Sequence, residues 1–120
     1  NPSRIAALRD RLIRGVLQIP GAILTGDPKN RLPGNASFLF EGASGEAIVF
    51  LLDRSGICAS SGSACSAGAL EPSHVLLAMG YSEEAARSSL RLTLGEENTE
   101  ADVTEVLKVL PGIISRLRAE

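Results

Sequence analysis

Cys65 lies in the run Ser60-Ser61-Gly62-Ser63-Ala64-Cys65-Ser66-Ala67-Gly68, where no neighbour has the apolar bulk to bury a thiol. Free cysteine is ordinarily among the most buried of side chains, whereas Gly and Ser clusters mark loops that run over the surface. This composition presents the sulfur rather than hiding it. A thiolate needs access to its electrophile, and small flanking residues let a loop carry it there, so Cys65 is a candidate nucleophile. The plain alternative is a surface cysteine in a flexible loop. His74, the only histidine, follows nine residues on and can be paired with Cys65 on paper, although a lone histidine on a short helix is more often structural or exposed. Cys58 sits beside Ile57 in a β-like run, where core packing is its default.

Arg91 is the second residue of interest. It interrupts the alternating segment Ser88-Ser89-Leu90-Arg91-Leu92-Thr93-Leu94-Gly95, on the face opposite the leucines and between Ser89 and Thr93. An ordinary solvent-facing arginine is one reading. A planar two-donor fork for a substrate carboxylate is the other, and the pattern by itself does not choose between them. The serines around Gly62 do not form a GxGxxG or Walker pattern, so a phosphate cradle is discounted. The seven-residue separation of Cys58 and Cys65 is not the short spacing of a structural zinc site, and no metal site is expected.

The elements that must hold these residues follow from the hydrophobic pattern. The 120 residues suit one domain, and 44% hydrophobic against 22% charged residues supply a core with too little charge for disorder. With only 3% aromatic residues that core must be aliphatic. A net charge of −2 with scattered Lys and Arg excludes the basic stripe of a nucleic-acid binder. Two cysteines are too few for a disulfide framework, and no apolar run reaches membrane-spanning length, so a cytoplasmic protein off the membrane is expected.

Ile5, Leu8, Leu12, Val16 and Ile19 predict a helix opening near Pro2 and ended by Pro20-Gly21. Strands are predicted over 22–26, 35–41, 56–60 and 88–95, the last with Leu90, Leu92 and Leu94 inward and Ser89, Arg91 and Thr93 outward. The apolar run 47–52, between Ser44 and Gly56, predicts a buried helix. Short helices are expected from Pro72 to Gly80 and from Ser82 to Arg87. Thr99 and Asp102 form a capping-box pattern for a last helix with the stripe Val103, Val106 or Leu107, Leu110, Ile113 or Ile114, and Leu117. Pro111-Gly112 is expected to kink it. The class is α+β: a small, mostly antiparallel sheet covered by helices.

Three blocks carry a specific likeness. "RLPGNASFLF" (31–40), "SSGSACSAGALEPSHVLLAMG" (60–80) and "SSLRLTLG" (88–95) resemble, in order and spacing, the C-terminal part of cysteine desulfurases of the NifS/IscS type. These are fold-type I pyridoxal-phosphate enzymes of the class V aminotransferase family, and this chain is similar to their long-loop group rather than the SufS-like branch. The resemblance implies the fold of the small C-terminal domain of these transferases. It implies that Cys65 is the catalytic cysteine, taking the sulfur of L-cysteine as a persulfide and leaving L-alanine, and that Arg91 binds the substrate α-carboxylate. A mobile loop around Cys65 would then pass sulfur to an iron–sulfur scaffold or another acceptor protein, and the full-length enzyme would be a homodimer.

The chain also departs from the family. Its lysines are Lys29 and Lys108, and neither matches the family's cofactor lysine. Residues 1–120 are therefore expected to correspond to the small C-terminal domain, with the large pyridoxal-phosphate-binding domain absent and the fragment inactive alone. A free-standing persulfide carrier, or a packing and dimerisation module without catalysis of its own, is the alternative.

Overall fold

The computed structural model of the chain describes residues 2–25, 34–52, 57–61, 64–66, 69–71 and 74–120. Helix α1 (Pro2–Val16) buries Leu8, Leu12 and Val16 of the predicted stripe and Ile13 beside them; Ile5 is half-buried, and Ile19 is buried beyond the helix end. It stops before Pro20, not at it. Gln18 N–H turns back to the Gly15 carbonyl (3.2 Å) and Ile19 N–H to the Val16 carbonyl (3.0 Å), tightening the last turn before Gly21 adopts a φ of 81°.

Strands β1 (Ala22–Thr25) and β2 (Asn35–Phe40) pair antiparallel, and the next strand in space is the last of the sheet in sequence, β6 (Ser89–Thr93). Helix α2 (Gly45–Leu51) crosses over this slot to β3 (Cys58–Ser61), which pairs with the far side of β6. The resulting order is β1-β2-β6-β3, antiparallel at every pairing. The α+β class with a small antiparallel sheet is therefore the observed one.

One face of the sheet carries the main core. Ala36, Phe38, Phe40, Leu90 and Leu92 are buried there against α1, α2 and the long helix α5 (Glu100–Arg118). Two of the chain's three phenylalanines, Phe38 and Phe40, pack with ring centroids 5.9 Å apart; aliphatic side chains supply nearly all the rest. Helix α2 begins at Ser44, whose hydroxyl accepts from Ala47 N–H, and approaches the sheet so closely that a Cβ on Gly45 would overlap the Ser89 carbonyl. In α5 the Thr99–Asp102 capping box is fully formed, and Val103, Val106, Leu110 and Ile114 are buried. The helix runs on through Pro111, whose exposed position turns the ring away from the core.

The opposite face is only partly covered. Helices α3 (His74–Ala78) and α4 (Glu83–Arg87) bring Leu76 and Ala86 onto Leu39 at one end of it. Ser89, expected to face solvent, is buried at this end for that reason. The run around Cys65, expected to be loop, contains two short strands, β4 (Ala64–Ser66) and β5 (Ala69–Glu71), paired antiparallel.

Three of the arginines that the sequence scatters along the chain act as ties between elements. Arg4 donates to the carbonyls of Glu96 and Asn98, both at 2.6 Å, holding α1 to the β6–α5 connection. Arg11 donates to the Glu100 carbonyl (3.0 Å) and to Thr104 Oγ1 (2.7 Å). Arg118, near the end of α5, donates Nε–H to the Glu41 carbonyl (2.7 Å) and Nη1–H to the Pro20 carbonyl (2.6 Å), joining the turns that enter β1 and leave β2.

Candidate functional site

Strand alternation divides β6 cleanly beyond its first residue: Leu90 and Leu92 are buried, and Arg91 and Thr93 are exposed on the other face. The register sets Arg91 between Ser37 of β2 and Ser60 of β3, with Thr25 of β1 beyond Ser37. The adjacent row holds Asn35, Thr93 and Cys58. Neither row contains a carboxylate, and neither an ion pair nor a side-chain hydrogen bond to Arg91 is found among the described residues. A planar guanidinium with no ion-pair partner among the described residues can take a carboxylate through two parallel hydrogen bonds.

The ladder fixes how closely Arg91 meets its neighbours. Leu94 N–H donates to the Gly34 carbonyl (2.8 Å) and Phe40 N–H to the Ser88 carbonyl (3.1 Å), marking Gly34–Leu94 and Phe40–Ser88 as hydrogen-bonded positions. Pairs alternate along an antiparallel ladder, so Ser37–Arg91 is a non-hydrogen-bonded pair, with Cα atoms about 4.5 Å apart and side chains at their closest. The backbone of Arg91 then faces β3, and its pair with Ser60 is the wider type, about 5.5 Å. Ser37 has no signal in the sequence beyond its place in the alternating "NASFLF"; only the pairing of β2 with β6 brings it to Arg91.

Cys65 occupies the middle of β4, in register with Leu70. It is not on the sheet that carries Arg91, but it follows Ser60 by five residues, and a chain of that length reaches at most about 18 Å. The two candidate residues are thus linked by a short tether starting in the same row. Cys58 is in register with Thr93, in the row that also holds Asn35. His74 opens α3. A surface groove of about 540 Å³ between α1 and α5 is lined by residues such as Pro20, Leu107, Pro111 and Arg118 and includes nothing from the Arg91 face. Among the described residues no group of His, Cys, Asp and Glu is arranged to hold a metal ion, and no helix is long and apolar enough to cross a membrane.

The family model for class-V aminotransferases matches residues 2–106. The chain belongs to the class-V aminotransferase family. Its relatives narrow the likeness. It is 54% identical over 117 residues to a cysteine desulfurase of Gluconacetobacter diazotrophicus, covering 97% of this chain and 29% of that protein. An IscS-like cysteine desulfurase of Mycobacterium tuberculosis is 52% identical over 98% of this chain and 30% of its own length. The fold agrees: an X-ray structure of a NifS-like protein from Rickettsia africae superposes with a TM-score of 0.79 at 28% identity, covering 96% of this chain and 29% of that one. The class-V chain thus spans under a third of the length of these relatives.

Pyridoxal phosphate, which the family implies, needs a lysine to form its imine. Of the two lysines in the class-V chain, Lys108 is exposed on α5, in the helical layer across the sheet from Arg91. An exposed, fully hydrated amine is a poor imine former. Lys29 lies outside the described residues. The described residues therefore offer no buried lysine for a resident cofactor; they carry Arg91 on one sheet face and Cys65 on the β4–β5 pair.

Proposed function

We propose that this chain is the small C-terminal domain of a cysteine desulfurase. In this reading Arg91 binds the α-carboxylate of L-cysteine through its two-donor fork. Cys65 takes the substrate's sulfur as a persulfide, and the rest of the substrate leaves as L-alanine. In balance, a thiol on the substrate and a thiol on the protein become a C–H bond on alanine and an S–S–H group on Cys65. The cofactor's imine lysine would come from residues outside this chain. The persulfide would pass to an iron–sulfur scaffold or another sulfur acceptor in the cytoplasm, from a homodimeric enzyme.

The supporting observation is Arg91, with no ion-pair partner among the described residues and no carboxylate in its paired sheet rows, in a chain about half identical to cysteine desulfurases. Incubation of the gene product that carries this chain with pyridoxal phosphate and L-cysteine tests the reading. Equal amounts of sulfide and L-alanine in the presence of a thiol reductant are expected; alanine-free turnover, or none at all, would overturn it.

A further inference from the structure

We propose that Ser37 is a second donor to the carboxylate held by Arg91. The inference rests on the reading of Arg91 as the carboxylate site and extends it to a residue on another strand. Ser37 and Arg91 are opposite each other at a non-hydrogen-bonded position, the closest cross-strand approach an antiparallel sheet offers. Ser37 is half-buried and Arg91 exposed, directly opposite each other on the same face of the sheet. Neither side chain bonds the other, and neither has a hydrogen-bond partner among the described residues. Both therefore keep their donors for a ligand.

A guanidinium and a hydroxyl carried by opposed residues of one sheet face can share a monoanionic carboxylate. The fork occupies one lone-pair direction of each carboxylate oxygen, and the hydroxyl takes a remaining one. Among the paired residues of this face Arg91 is the only cation, which suits a single carboxylate. Ser60, on the other flank at the wider pair spacing, is the weaker neighbour.

Steady-state kinetics with L-cysteine on the gene product decide it, using Ser37→Ala, Ser37→Thr and Arg91→Lys. Ser37→Ala should raise KM roughly tenfold, the effect of one hydrogen bond to a charged group, with kcat within twofold. Ser37→Thr, which keeps the hydroxyl on a β-compatible side chain, should restore KM. A structural role for Ser37 would instead lower the melting temperature and spread the loss over both parameters, which would overturn the proposal. An unchanged KM in Ser37→Ala, with KM raised in Arg91→Lys, would overturn it while leaving Arg91 as the carboxylate site. An unchanged KM in Arg91→Lys would remove the carboxylate reading itself, and the role of Ser37 with it.

Discussion

Replacing Arg91 by lysine separates binding from folding. Arg91 is exposed, its strand neighbours Leu90 and Leu92 carry the packing, and no ion pair among the described residues depends on it. A surface substitution away from such features stays within about 0.5 kcal/mol, so the melting temperature should move by no more than roughly 2–4 °C. Lysine keeps the positive charge but presents a point donor in place of the planar fork, removing one of two parallel bonds to the carboxylate. One hydrogen bond to a charged group contributes about 1.5–3 kcal/mol, which corresponds to a roughly tenfold to hundredfold fall in kcat/KM for L-cysteine. The assay is sulfide release by the gene product over a range of L-cysteine concentrations, alongside thermal melting of the same preparation. An unchanged kcat/KM would mean that Arg91 is only a solvent-facing arginine. A large drop in melting temperature would mean that the face is part of the folding core.

Other expectations follow from particular contacts. Arg118→Ala removes the bonds to the Glu41 and Pro20 carbonyls, and a loss of about 2 kcal/mol, or roughly 8 °C in melting temperature, is expected by thermal denaturation. Gly45→Ala sets a Cβ into the Ser89 carbonyl and forces α2 off the sheet; urea titration should show a loss of about 2 kcal/mol or more, well beyond the helix-propensity gain of alanine. The 120-residue chain titrated with pyridoxal phosphate should develop no dialysis-stable visible band that borohydride removes, because its described lysine is exposed.

Local chemistry written within one element was legible from the sequence. The stripe of α1, the Ser44 and Ser82 caps, the Thr99–Asp102 capping box and the alternation of β6 all depend on residues a few positions apart, and all are present. What needed the fold was every consequence of pairing. Ser89 reads as outward by alternation, yet α3 and α4 cover its end of the sheet. The Gly/Ser-rich run reads as coil, because small residues carry no strand propensity, yet Ala64–Ser66 finds a partner in Ala69–Glu71. Of the site, Arg91 was visible as a charge breaking an apolar strand, but its lack of a carboxylate neighbour is a property of β2 and β3. Ser37 was invisible for the same reason. The role of Cys65 came from composition and family likeness, not from pairing.

The central claim is that Cys65 carries the sulfur, and one mass measurement addresses it directly. The gene product is incubated with pyridoxal phosphate and a limited supply of L-cysteine, alkylated without reductant, and digested. The peptide containing Cys65 should gain the mass of one sulfur atom beneath its alkyl group, while the peptide containing Cys58 should not. Extra sulfur on Cys58, or on neither peptide while sulfide is released, would contradict the account.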